Sequence, residues 1–262
     1  MDLSAGTLRI LMARIAPHTA ETADRENPRG RAELQPRARA TRSAILSAAA
    51  EHFARDGYHA TSLDRVLADS GGTKGALYFH FTSKLALARA VVAEMVQQWG
   101  DLRAQVGERG LDPLATLLTL VDEVIARLVD SPIARGGTRL LSELPGSGTA
   151  TGEHYSFGER DTLALLTEAA RSGQLREGVE PASLARQIVA LVAGHRQICD
   201  ALGDRGDLWR RVDEAWVLLL PVIATDEWLG HWRASGWASR PRPSGEWPGG
   251  RRRATAPDER PG

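Results

Sequence analysis

The chain has 262 residues, with 33 Lys and Arg against 33 Asp and Glu and a formal net charge of zero. That length accommodates one large domain or two unequal ones and can bury a sizeable core without metal or disulfide staples. A neutral balance exerts no global pull toward nucleic acid, so only the local distribution of charge bears on partners.

The single cysteine, Cys199, excludes an intramolecular disulfide and suits a reducing, cytoplasmic setting. No apolar run approaches the ~18 residues that span a bilayer, so no membrane partner is expected. The segment from Leu8 to Ile15 is apolar with arginines but lacks a cleavage-site pattern, and reads as an N-terminal extension.

Taken in chain order, residues 1–35 mix Thr, Ala, Arg, Pro and Gly without sustained periodicity, and predict a disordered arm interrupted by Pro17, Pro28 and Pro36. From residue 37 to 56, Ile45, Leu46, Ala49, Phe53 and Ala54 recur at helical spacing, with Gly57 as a stop. Thr61 and Ser62 open a short helix carrying Leu63, Val66 and Leu67, and Gly71-Gly72 turn the chain. Thr73 caps a second short helix from Lys74 to Phe79, and Ser83 caps a longer one toward Trp99. Helices follow at 112–129, 131–144, 155–172, 181–202 and 207–229, separated by Pro and Gly breaks. Residues 230–262 hold five prolines among Gly, Ser and Arg and predict a disordered basic tail. No strand-like alternation persists. The expected fold is all-α: a three-helix unit at 36–84 and a helical bundle at 85–229.

The informative unit is 37–84, where helix, glycine turn and short helix form the helix-turn-helix pattern whose second helix enters the major groove. Leu77 and Phe81, four apart, are expected to pack inward on Phe53 and Val66. Thr73, Lys74, Tyr78 and His80 then point outward as candidate DNA contacts, with Thr61 and Ser62 nearby. Gly75 removes a side chain where backbone can approach a phosphate. Lys84 sits in the first turn of a helix, against the dipole, which a DNA phosphate would explain. Arg37 and Arg39 belong to an arginine cluster that can track phosphates, or can simply be a solvated face.

These residues also carry a resemblance. Thr41 to Ala49, Phe53-Ala-Arg-Asp-Gly-Tyr58, Gly72-Thr-Lys-Gly-Ala-Leu-Tyr-Phe-His-Phe81 and Ser83-Lys84 closely resemble the TetR family of transcriptional repressors. Within it, the Thr-Lys-Gly-Ala-Leu-Tyr-Phe-His-Phe wording is similar to the γ-butyrolactone autoregulator receptors of antibiotic-producing bacteria. Ala134-Arg-Gly-Gly-Thr-Arg-Leu140, Ser172-Gly-Gln-Leu175 and Ala193 to Ile198 follow the same layout more loosely. The resemblance implies a homodimer on a palindromic double-stranded operator, a small-molecule inducer and control of secondary-metabolite genes. It implies no cofactor. One position departs: the receptors usually carry a tryptophan where Gly158 stands, with Tyr155 and Phe157 beside it. That favours a pseudo-receptor answering antibiotics or intermediates, unless Phe157 supplies the aromatic.

In the C-terminal half, Leu118, Val121, Ile125, Phe157, Leu165, Ile188 and Val192 are candidates to line an inducer pocket, and equally to form a plain bundle core. His195, Arg196 and Gln197 can face ligand, solvent or a partner subunit. Trp209 and Trp216, seven apart, with Val212 and Leu219, suit a dimer interface. No nucleophile elbow, phosphate loop or metal-spaced His/Cys pair is present, so no enzyme is expected. A constitutive DNA-binding protein without ligand response is the remaining alternative.

Overall fold

A computed structural model describes residues 28–144, 147–235 and 240. Ten helices are present among them: α1 (Pro28–Ala60), α2 (Leu63–Ser70), α3 (Lys74–His80), α4 (Lys84–Gly107), α5 (Pro113–Asp130), α6 (Pro132–Glu143), α7 (Ser147–Arg171), α8 (Pro181–Leu202), α9 (Asp207–Ile223) and α10 (Asp226–Ser235). The capping chemistry is local. The side chains of Thr73, Ser83, Asp112, Ser131 and Glu180 each accept a backbone N–H from the first turn that follows. Pro113, Pro132 and Pro181 open their helices where a missing N–H costs nothing.

Five boundaries differ from the sequence expectation. Residues 28–35, expected in the irregular arm, form the first turns of α1. Pro28 stands at the first helical position, and Pro36 removes one intrahelical bond without ending the helix. Residues 1–27 of that arm lie outside the described residues. Gly57 leaves helical geometry (φ 80, ψ 176) as its stop role requires, but the chain then resumes helix to Ala60. Helix α7 starts at Ser147 rather than 155. The single helix expected at 207–229 is two. Ala224 leaves the helix to make an isolated bridge with Leu175. There the Arg176 N–H donates to Ile223 O (2.9 Å) and the Thr225 N–H to Gln174 O (2.9 Å). The Gly173–Arg176 turn thus satisfies the backbone that a continuous helix would have satisfied itself. At the other end, residues 230–235, assigned to the tail, complete α10, and Arg240 is buried. The rest of the tail, 236–239 and 241–262, lies outside the described residues.

Two apolar cores meet across α4 and α6. The first gathers Phe53, Val66, Leu77, Phe81, Leu87, Val91 and Met95 with Leu140 and Leu141 of α6. The second gathers Leu118, Ile125, Leu166, Ile188, Val212 and Trp216 with Ala134 of the same helix, and Trp99 of α4 packs against both. His52, buried on α1, ties α2 in through Nε2 at 2.7 Å from Asp69.

Helix α6 lies hard against α1. A Cβ on Gly136 would stand 2.6 Å from Ala50 O, and one on Gly137 would stand 2.7 Å from the Met95 sulfur. Polar bonds flank this contact. Arg139 Nη1 donates to the Ala54 and Arg55 carbonyls (3.1 and 3.0 Å) and Nε donates to Glu143 (2.6 Å). Glu143 in turn accepts the Tyr58 N–H at 2.6 Å. Arg135 reaches Glu51 at 3.1 Å. The carbonyls freed where α1 breaks at Gly57 are therefore held by a guanidinium from α6.

Gly136→Ala is expected to lower stability by about 1–3 kcal/mol, because the added methyl meets backbone rather than a movable side chain. Gly152→Ala, on α7 with nothing within 4 Å, is expected to be neutral or slightly stabilising. Urea unfolding of both variants checks the contrast, and equal effects would contradict a close-approach role for Gly136.

Candidate functional site

The outer face of α3 is built by what its inner face buries. Leu77 and Phe81 sink into the first core with Phe53 and Val66, as their spacing predicts. Lys74 and Tyr78 are left exposed and His80 half-buried. Phe79, which sequence reading passed over, is 80 % exposed. Its signal was available: on a helix whose inward pair is 77 and 81, position 79 faces away. Thr73 is exposed, with its hydroxyl committed to the Ala76 N–H. At Gly75 the nearest atom to an added Cβ is 4.0 Å away, so nothing inside the protein demands glycine there. Lys74 Nζ lies 3.7 Å from Asp64 with both side chains exposed, a weak pair that a stronger anion can displace. Burial, helped by the nearby Arg42 charge, holds His80 below the ordinary histidine range. Its neutral ring can both donate and accept.

Three expected contacts look different in the fold. Thr61 is buried, and its hydroxyl donates to Gly57 O at 2.6 Å, so it secures the turn and is withdrawn from the outer face. Ser62 caps α2 by position while its hydroxyl makes no capping bond. Lys84 donates to the His59 carbonyl (3.0 Å) and lies over the Tyr58 ring at 5.0 Å. Its place against the α4 dipole thus has an internal explanation, an acceptor at the end of α1. Arg37 and Arg39 are exposed on α1.

Behind this unit lies a cavity of about 210 Å³ between α4, α5, α7 and α8, with Thr138 of α6 in its wall. Val121, Phe157, Leu165, Ile188 and Val192 line it as expected. Leu118 and Ile125 do not; both are fully buried in the second core. Helix α5 is apolar around most of its girth, and periodicity cannot separate its cavity face (Leu117, Leu120, Val121, Val124, Leu128) from its core face.

Sequence reading missed Trp99, which supplies an aromatic wall from α4. Gly158 does line the cavity, and a Cβ there would meet only Val189 at 3.8 Å, so packing leaves room for a side chain. Polar groups sit in the same wall: His154, Tyr155, Thr162, Asp161 paired with Arg103, and Arg196, which donates to Asp200 at 3.0 Å. Burial, with the Arg196 charge adding to it, depresses His154 to about 4. His195 and Gln197 do not line the cavity.

The expected dimer residues need correction. Val212 and Trp216 are buried inside their own chain, and Trp209 and Leu219 pack partly on the same core. The seven-residue spacing identified a real face of α9, but the inner one. The exposed apolar side chains are Val217, Leu218 and Val222 on α9 with Ile198 and Leu202 on α8.

Comparison with known proteins places this geometry. The family model described as "Bacterial regulatory proteins, tetR family" matches residues 45–91. The A-factor receptor protein of Streptomyces griseus is 32% identical over 204 residues, 77% of this chain and 70% of that protein. A solved structure of CprB from Streptomyces coelicolor in complex with its biological operator sequence is 27% identical with a TM-score of 0.66, covering 78% of this chain and 98% of that one. A crystal structure of a gamma-butyrolactone receptor (ArpA-like protein) is 28% identical with a TM-score of 0.63, covering 76% and 95%.

The cavity histidine sets a pH dependence. Unfolded, His154 titrates near 6.5; folded, it stays neutral down to about 4. Its contribution is therefore complete above ~6.5 and is lost as pH falls through that window. Stability is expected to drop by about 2 kcal/mol between pH 7 and 4.5 on this account, allowing for the partial exposure of the ring. His154→Gln should remove that share of the drop in urea unfolding, and an unchanged profile would contradict it.

Proposed function

The chain belongs to the tetR family of bacterial regulatory proteins, and we propose that it works as a dimeric repressor released from its operator by a small molecule in the α4–α8 cavity. One observation carries this reading. Two of the helices that line the cavity, α4 and, through Thr138, α6, also pack against the helix-turn-helix unit, so a guest that displaces either one loads α1.

In this reading α3 lies in the major groove. Lys74, Tyr78 and His80 address base edges, and the Phe79 ring suits a thymine methyl. Gly75 lets the α3 backbone close on the duplex. Arg37, Arg39, Ser62 and Thr73 hold phosphates, which fix register rather than sequence. Lys84 joins them with the ammonium hydrogens that its bond to the His59 carbonyl leaves over. The exposed apolar faces of α8 and α9 meet their symmetry copies, and the two α3 helices then address half-sites about 34 Å apart on a palindromic operator. The regulator acts in the cytoplasm on double-stranded DNA and needs no cofactor. Its function is recognition rather than catalysis.

A γ-butyrolactone matches the cavity in kind: an apolar alkyl portion against Trp99, Val121 and Leu165, and a polar head toward Thr162, His154 and Arg196. The inducer acts by binding better to the dimer whose readers are out of step with the half-sites. A second reading rests on Gly158, where the wall lacks a side chain that packing would allow. The space suits a bulkier guest, such as an antibiotic or biosynthetic intermediate, in a pseudo-receptor of the same family.

A mobility shift on DNA upstream of the chain's own gene and its neighbours tests both. Release by a γ-butyrolactone is the expected result; release only by the host's antibiotic extract supports the second reading. A folded dimer that shifts DNA but is released by neither would leave a constitutive DNA-binding protein. Arg39→Ala should weaken binding on all sequences and flatten the salt slope by about one unit. An unchanged slope would remove Arg39 from the phosphate contacts.

A further inference from the structure

Beyond α10, one described residue, Arg240, is buried against α5 and α9. Arg240 has 2 % of its side chain exposed, and Asp122 of α5 has none. The guanidinium grips that carboxylate with two bonds, Nε to Oδ2 at 2.6 Å and Nη2 to Oδ1 at 2.8 Å. Its third nitrogen donates to Asp213 of α9 at 2.6 Å, and its plane lies 5.3 Å from the Trp209 ring centroid. Two carboxylates on different helices and an aromatic face match the donor fork and flat surface of a guanidinium. A solvated basic tail has no reason to place an arginine there.

We propose that Asp122, Asp213 and Trp209 form a guanidinium-binding site, filled by Arg240 of the same chain, which ties the cavity helix α5 to the outward-facing helix α9. Arg240 is on this account a working part of the bundle. Asp122 directly follows Val121, a cavity residue, and Asp213 lies on the helix that presents Leu218 and Val222 outward. The tie therefore keeps the cavity wall and that exposed face in one register. The docking itself does not depend on the repressor reading; only the coupling of cavity to partner surface does.

Burial accounts for the expected energetics. Burial, with the Asp213 and Glu123 charges adding to it, holds the Asp122 carboxyl above its ordinary range against the opposing Arg240 bonds. Taking away the arginine strands a buried carboxylate next to a second one, which is far costlier than losing a surface ion pair.

The test is a double-mutant cycle in the full-length chain, read by urea unfolding without DNA or inducer. Arg240→Met is expected to raise the unfolding equilibrium constant on the order of 100-fold or more. Asp122→Asn should destabilise the native chain yet stabilise the Arg240→Met chain, a reversal of sign. If Arg240→Met alone fails to fold, adding Asp122→Asn and Asp213→Asn should restore a cooperative transition. An Arg240→Met chain as stable as the parent, additive effects of the two substitutions, or no recovery from the neutralised pair would each overturn the proposal. All of these outcomes stand apart from whether the protein binds an operator or a lactone.

Discussion

The contact between Gly136 of α6 and the backbone of α1 at Ala50 is the constraint from which the rest of the arrangement follows. It exists because two successive glycines strip α6 of side chains where it meets α1 on one side and Met95 of α4 on the other. Helices this close transmit displacement instead of absorbing it, since a close-packed interior has little free volume to take up a shift. Arg139 and Glu143 then fix the contact by holding the backbone of α1 on both sides of its break at Gly57. The part of the chain that would read DNA and the part that would hold a guest share helices rather than a linker.

That sharing gives the chemistry of each part its meaning. The outer face of α3 is polar and aromatic because its inner face spends Leu77 and Phe81 on the first core. The cavity survives between α5, α7 and α8 because their bulk is arranged around Trp99 and the small residue Gly158 rather than filling the space. Its polar groups are few and held in defined states: Asp161 paired to Arg103, Arg196 bonded to Asp200, and His154 kept neutral by burial. An apolar room with a small number of oriented polar groups selects ligands by shape and by one or two hydrogen bonds.

Much of this was legible in the residues. Caps at Thr73 and Ser83, the Gly71-Gly72 turn and the inward pair Leu77 and Phe81 are local rules, and local rules fixed the helix-turn-helix. The failures have a common physical form. Where a helix carries more apolar residues than one face holds, as in α5 and the C-terminal half of α9, spacing cannot say which face meets the core, which lines a cavity and which stays open. Leu118, Ile125, Val212 and Trp216 were misassigned for that reason. Lys84 and Arg240 differ for another reason: each is settled by a partner distant in sequence, His59 and Asp122 respectively, which no short window along the chain contains, while Thr61 is settled by the turn geometry at Gly57, four residues back. The split of α9 from α10 likewise depends on a bridge to Leu175, almost fifty positions away in the chain.

The central claim is that a guest in the cavity moves the two α3 helices of a dimer relative to each other. Thr82→Cys, on the exposed turn just after α3, accepts a spin label while Cys199 stays buried and unlabelled. Pulsed dipolar spectroscopy then measures the separation of the two labels in the dimer, on operator DNA and with whichever of a γ-butyrolactone or the antibiotic extract dissolves the complex. The account predicts a single distance on DNA, set by half-sites about 34 Å apart, and a shift of several ångströms when the guest is added. A distance distribution that stays the same with saturating guest, while the DNA is released, would contradict it.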